Sequence, residues 1–154
     1  MKLYLIQHGE ATPEQVDPLR PLTAQGREDV LQIASFLKDA RVRPTLIYHS
    51  EKLRAKQTAE IIASAMALNE LIRERKGLLP QDVIDDIAQE ISRSAKDLMI
   101  VGHLPFLSKL ATFLLVGKEE GNLIAFQPGG VVCLKRAEDQ RWQVAWMVVP
   151  EILK

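Results

Sequence analysis

The N-terminal stretch Lys2-Leu3-Tyr4-Leu5-Ile6-Gln7-His8-Gly9-Glu10 decides the fold. Its apolar run is short, shows no alternation of polar and apolar residues, and stops abruptly at Gln7-His8-Gly9. A run of that kind reads as a strand buried on both faces, which a parallel sheet covered by helices provides and a one-sided antiparallel sheet does not. Two further runs repeat the pattern. Thr45-Leu46-Ile47-Tyr48 ends in His49-Ser50, and Asp97-Leu98-Met99-Ile100-Val101 ends in Gly102-His103.

The segments between these runs have helical periodicity. Thr23 is an N-cap residue type, and Val30, Ile33, Ala34 and Leu37 follow at i, i+3, i+4, i+7, which predicts a helix over about Ala24–Ala40. Ser50 is expected to cap a second helix whose face is Ala55, Ala59, Ile62, Ala63 and Met66. Pro80 is expected to open a third, with Val83, Ile84, Ile87 and Ile91 on its apolar face. Pro105 suits the first turn of a fourth, carrying Leu107, Leu110, Ala111 and Leu114.

Residues 69–77 hold at most a weak strand, and Pro13, Pro18 and Pro21 mark a surface loop. Val131–Lys135 and Gln143–Val149, separated by the polar Arg136–Arg141, read as an antiparallel hairpin. The expected architecture is α/β: a three-layer α/β/α sandwich with a mostly parallel central sheet and some antiparallel strand content, in a single domain over residues 1–154.

Composition narrows the function. The chain has 154 residues, 47% apolar and 26% charged, as an average soluble domain does, so it can bury a core. Twenty basic residues balance twenty acidic ones. A net charge of zero gives no general attraction for a polyanion, and nucleic acid is not an expected partner. The single cysteine, Cys133, excludes an internal disulfide and cysteine-rich metal sites and reads as a small buried hydrophobe. No stretch approaches the ~18 apolar residues of a membrane span, and the N-terminal apolar run is too short for a secretion signal. A cytoplasmic protein without membrane association is expected.

All three histidines, His8, His49 and His103, fall at the carboxyl ends of the three apolar runs, and Arg54 follows the second by one turn. Ligands of open α/β sheets bind beyond those strand ends, where the loops converge. Three imidazoles can hold a catalytic zinc. Against that reading, no pair of ligands has metal-binding spacing on a helix and Arg54 would repel a cation, so no metal is expected.

Gln7-His8-Gly9-Glu10-Ala11 resembles the Arg-His-Gly signature of the histidine phosphatase superfamily, the phosphoglycerate-mutase-like enzymes. Arg20-Pro21-Leu22-Thr23-Ala24-Gln25-Gly26-Arg27, then Ser50-Glu51-Lys52-Leu53-Arg54-Ala55-Lys56-Gln57-Thr58-Ala59, then Val101-Gly102-His103-Leu104-Pro105 resemble its next three blocks, in order. The short length is similar to the phosphohistidine phosphatase branch. The resemblance implies that His8 is a nucleophile forming a covalent phosphohistidine, that Arg54 clamps the phosphoryl oxygens, and that His103 donates to them as an imidazolium. It also implies that Gln7 and Gly9 line the phosphate site, with Gly9 letting the backbone pass close to it. No cofactor is implied. The implied partner is a phosphorylated protein carrying phosphohistidine, or alternatively a small phosphorylated molecule acted on by a phosphomonoesterase.

Gln7 departs from the pattern, because arginine would supply a permanent charge and a fork of donors where glutamine offers a neutral amide. A phosphoryl-binding or regulatory module that has lost turnover is therefore the rival expectation. Glu10, Glu14, Asp17 and Asp82 are the carboxylates from which a general acid would come, Glu10 and Asp82 foremost. Lys52, Lys56 or Arg20 could supply the charge that Gln7 lacks. His49 has no counterpart in the motif and reads as a partly exposed strand-end residue. Gly129-Gly130 reads as a turn into the following strand, and Lys118-Glu119-Glu120 as a solvated loop.

Overall fold

The computed structural model describes all 154 residues, Met1–Lys154. In chain order the strands are β1 (Lys2–Gln7), β2 (Leu46–His49), β3 (Ile72–Glu74), β4 (Leu98–Gly102), β5 (Val131–Arg136) and β6 (Trp142–Val148). The helices are α1 (Ala24–Asp39), α2 (Leu53–Met66), α3 (Asp85–Arg93) and α4 (Phe106–Val116). One sheet holds all six strands in the order β3-β2-β4-β1-β5-β6. The pairs β3·β2, β2·β4 and β4·β1 are parallel, and β1·β5 and β5·β6 are antiparallel.

Period-two alternation along the buried strands divides the core into two. Tyr4 and Ile6 of β1, with Met99 and Val101 of β4, face Val30, Ile33, Ala34 and Leu37 of α1 and Ala59, Ile62 and Ala63 of α2. Leu3, Leu5, Leu98 and Ile100 face the other way, onto Ile87 and Ile91 of α3 and Leu107, Leu110 and Ala111 of α4. Both faces of β1 and β4 are thus covered, which is why those runs are apolar throughout.

The helix boundaries follow local chemistry. The Thr23 side chain accepts the Gly26 N–H at 2.9 Å, capping α1. Two expected helix starts are corrected. No helix begins at Pro80: the Asp82 carboxylate accepts the Leu79 N–H at 2.8 Å, closing a turn, and α3 starts at Asp85 with Val83 exposed. Ser50 does not cap α2, which starts after Lys52 without a side-chain cap, because its hydroxyl is engaged elsewhere.

Gly26 packs against the loop that follows β1. A Cβ there would lie 2.2 Å from the Glu10 carbonyl oxygen, so no side chain fits. This contact holds the start of α1 onto the chain immediately after His8.

Candidate active site

The order β2-β4-β1 places the carboxyl ends of three parallel strands side by side, and each end delivers one polar side chain. Ser50 follows β2, His103 follows β4 and His8 follows β1. The backbone stitches these ends together, with His8 N–H donating to the Gly102 carbonyl at 3.0 Å and Ser50 N–H to that of Val101 at 3.3 Å. The His8 and His103 rings lie 5.1 Å apart, tilted by 54°.

His8 Nδ1 lies 2.7 Å from the Gly9 carbonyl oxygen. A carbonyl only accepts, so the ring proton sits on Nδ1 and Nε2 is the unprotonated, accepting nitrogen. Arg54 Nε donates toward that nitrogen across 3.3 Å. Burial pushes the His8 pKa down to about 4. The charges of Arg54 and Arg20 add to this, and the hydrogen bond to Gly9 opposes it. At neutral pH His8 is an uncharged imidazole with a cation at its bare nitrogen.

His103 is fully buried, and its pKa falls to about 3. Burial is the main cause, followed by His8, Arg54, Lys52 and Arg20. In the ligand-free site, burial and these neighbouring charges disfavour the imidazolium that the family resemblance implies. Its Nε2 lies 2.5 Å from Ser50 Oγ, and its Nδ1 is buried with no hydrogen-bond partner.

Two cations stand at the site. Arg54 comes from the first turn of α2, which Thr58 braces: its hydroxyl donates to the Arg54 carbonyl at 2.8 Å and accepts the Gly9 N–H at 3.0 Å. Arg20 comes from the proline-rich loop, which is closed by the Ala11–Leu22 bridge and by Thr12 N–H on the Pro21 carbonyl at 2.7 Å. The Leu22 N–H also donates to Gln57 Oε1 at 2.8 Å, tying the loop to α2. Arg20 has a positive φ of 49°, a strained state for a residue with a side chain, and its Nε donates to the Thr12 carbonyl at 3.0 Å. After burial, its charge adds to the lowering of the His8, Arg54 and His103 pKa values. Arg20, Arg54, Lys52 and Lys56 line one open cleft with Leu19 and the carboxylates Glu14, Glu51 and Glu74.

One sequence expectation changes here, the exposure of His49, and Gly9 gains a packing role: a Cβ there would lie 2.8 Å from Val30 Cγ2, inside the core, and its N–H donates to Thr58 Oγ1 at 3.0 Å. His49 is buried instead of partly exposed, with Nδ1 at 2.8 Å from the Ser50 carbonyl, because β3 and β4 cover β2 on both edges. Neither leading carboxylate is unengaged, since Glu10 accepts the Thr23 hydroxyl at 2.8 Å and Asp82 caps Leu79. Gln7 ends β1 with its Oε1 buried and unpartnered. No three His, Cys, Asp or Glu side chains gather in a way that could hold a metal ion.

Ser50, Thr58 and the posture of Arg20 are what sequence reading missed. Ser50 stands in the motif block with Arg54, but a serine ahead of a helix is read first as a cap. Arg20 lies in a loop without periodicity, and its orientation comes from a backbone state that no residue pattern signals.

The family model of the histidine phosphatase superfamily (branch 1) matches residues 3–78. An uncharacterized protein of Picosynechococcus sp. is 31% identical over 142 residues, covering 88% of this chain and 85% of that protein. Phosphohistidine phosphatase SixA of Escherichia coli K12 is 24% identical over 123 residues, covering 77% of this chain and 76% of its own length. Among solved structures, the protein histidine phosphatase SixA complexed with tungstate superposes with a TM-score of 0.88 over 100% of both chains at 23% identity, a likeness of fold.

Proposed function

This chain belongs to the histidine phosphatase superfamily, and on that premise we propose that it is a phosphatase acting on protein phosphohistidine through a covalent intermediate on His8. The observation that carries the reading is the neutral His8 ring, with its proton held by Gly9 and its Nε2 lone pair beside Arg54. In the first step that lone pair attacks phosphorus, a P–Nε2 bond forms, and the bond from phosphorus to the substrate nitrogen breaks. The substrate ring, protonated beforehand by solvent on its other nitrogen, keeps the electron pair and leaves as neutral imidazole. Water then adds to phosphorus, the P–Nε2 bond breaks, and orthophosphate leaves with the proton of that water while His8 is neutral again. Arg54 and Arg20 bear on the transferring oxygens as fixed cations, and His103 as a donor.

The leaving group is the reason to favour phosphohistidine. An alkoxide needs a proton from a positioned acid, worth about 10²–10⁴ in rate, and a phosphoramidate does not depend on one. An imidazole nitrogen is basic enough to be protonated by solvent near neutral pH. The rim of the cleft suits a protein substrate, since Leu19 is 70% exposed beside Arg20 and Arg54. A peptide carrying phosphohistidine should be hydrolysed with kcat/KM about 10²-fold or more above that of a phosphoserine peptide of the same sequence. Equal efficiency would overturn the assignment and favour a phosphomonoesterase.

The same site predicts a pH profile. Only neutral His8 has a lone pair to offer, and its pKa is lowered to about 4, so the reactive form persists well below the usual histidine range. We expect kcat/KM to stay level from pH 7 to about 5 and to fall below that along a limb near pH 4, shared with the neighbouring His103 ring. An acid limb at about 6.5 would contradict the buried geometry.

The second reading, a phosphoryl-binding module without turnover, rests on Gln7, whose buried Oε1 has no partner where the family pattern has arginine. It is favoured if tungstate binds, Arg54→Ala abolishes that binding, and no phosphoramidate is hydrolysed.

A further inference from the structure

We propose that Ser50 is a positioning residue that fixes the tautomer of His103, keeping the ring proton on Nδ1 so that an uncharged imidazole donates to a bound oxyanion. The purpose of the device rests on the phosphoryl-site reading above, but its test does not.

Ser50 is fully buried at the end of β2, the strand beside β4, and its Oγ lies 2.5 Å from His103 Nε2. The same oxygen receives the Lys52 backbone N–H at 3.3 Å. That group can only donate, so it takes one of the oxygen's two lone pairs, and Nε2 is then the acceptor in reach of the buried hydroxyl proton, which the opposite tautomer would leave unpaired. A directed chain results: Lys52 N–H to Ser50 Oγ, then Ser50 O–H to His103 Nε2. A neutral imidazole accepting at Nε2 carries its proton on Nδ1.

His103 Nδ1 is the atom that needs explaining. It is buried and has no partner, in a residue that is 1% exposed. Buried polar groups are rarely left unpaired, and at the converging strand ends, beside His8 and Arg54, a bound oxyanion would give this atom its partner. An oxyanion presents only acceptor oxygens, so a bare Nδ1 would repel it and Nδ1–H would bind it. Since burial and the neighbouring charges disfavour the imidazolium, the tautomer of the neutral ring decides which of these occurs. Ser50 is the side-chain donor within reach of Nε2.

The other two histidines are internal references. Nδ1 of His8 lies on the Gly9 carbonyl and Nδ1 of His49 on the Ser50 carbonyl, at 2.7 and 2.8 Å. Both contacts require Nδ1–H, and neither involves the Ser50 hydroxyl.

The test is two-bond proton–nitrogen NMR on the full chain with ¹⁵N-labelled histidine, at neutral pH and without ligand. All three rings are expected to show protonated Nδ1 and bare Nε2. In Ser50→Ala, His8 and His49 should keep that pattern, reporting an intact fold, while His103 moves toward the Nε2–H tautomer. Ser50→Thr, which keeps the hydroxyl, should leave His103 as in the wild type. Added tungstate should shift the His103 Nδ1–H signal in the wild type and bind about tenfold more weakly to Ser50→Ala. A wild-type His103 protonated at Nε2, or a His103 tautomer unchanged in Ser50→Ala, would overturn the proposal. No turnover enters this measurement, so its failure is distinct from that of the phosphatase reading, which fails if no phosphoryl group is carried by His8.

Discussion

Replacing His8 with alanine is expected to lower turnover of a phosphohistidine peptide by at least about 10³-fold, because the covalent route loses the only atom that can carry the phosphoryl group. The nearest alternative nitrogen does not substitute. His103 Nε2 is tied to Ser50 Oγ, and its Nδ1, under the tautomer proposed here, bears the proton. Oxyanion binding should survive, weakened by no more than about tenfold, because Arg54, Arg20 and His103 remain and His8 contributes no charge. Steady-state hydrolysis and a tungstate titration of the same variant separate the two effects. Retained turnover, or loss of turnover together with all oxyanion affinity, would show that His8 does something other than nucleophilic attack.

The second large effect concerns the missing arginine. Gln7 gives the site no charge, and the present account assigns the second phosphoryl cation to Arg20. Its Nε is fixed on the Thr12 carbonyl, which leaves the terminal nitrogens of the guanidinium for a ligand. The positive φ of Arg20 is a strain that the closed loop imposes, and such strain is characteristic of residues whose placement matters more than their comfort. Arg20→Ala should reduce kcat/KM by about 10²-fold, near 3 kcal/mol, the size of one lost donor at a developing charge. Gln7→Arg in that background should recover at least about tenfold, since it restores a cation at the end of β1. The pair is then strongly non-additive, as residues sharing one ligand are. Additive effects, or no loss in Arg20→Ala, would remove Arg20 from the site.

The sheet was legible where burial leaves the clearest trace. β1 and β4 are covered on both faces by helices, and β2 on one face fully and the other in part, so their runs are apolar without alternation, and each stops where the chain leaves the core. Thr23 announced α1 because the cap lies wholly within four residues. The start of α3 was not legible, because the Asp82 carboxylate closes a turn that outweighs the helix-opening tendency of Pro80. Motif order pointed to His8, Arg54 and His103, but only the strand order β2-β4-β1 puts Ser50 against His103. The charge on His103 was not legible for the same reason: it depends on burial and on cations from two other segments, Arg20 ahead of α1 and Lys52 and Arg54 at the start of α2. Gly9 shows the converse. Its role is set by Val30 and Thr58, residues far along the chain that fill its Cβ position and take its N–H.

The most direct test of the central claim is a rapid acid-free quench of wild-type protein mixed with a ³²P-labelled phosphohistidine peptide or phosphoramidate. The account predicts an acid-labile, base-stable phosphoprotein that forms before orthophosphate is released, maps to His8 and is absent from His8→Ala. Orthophosphate release with no labelled protein at any time would contradict it, as would label that persists in His8→Ala.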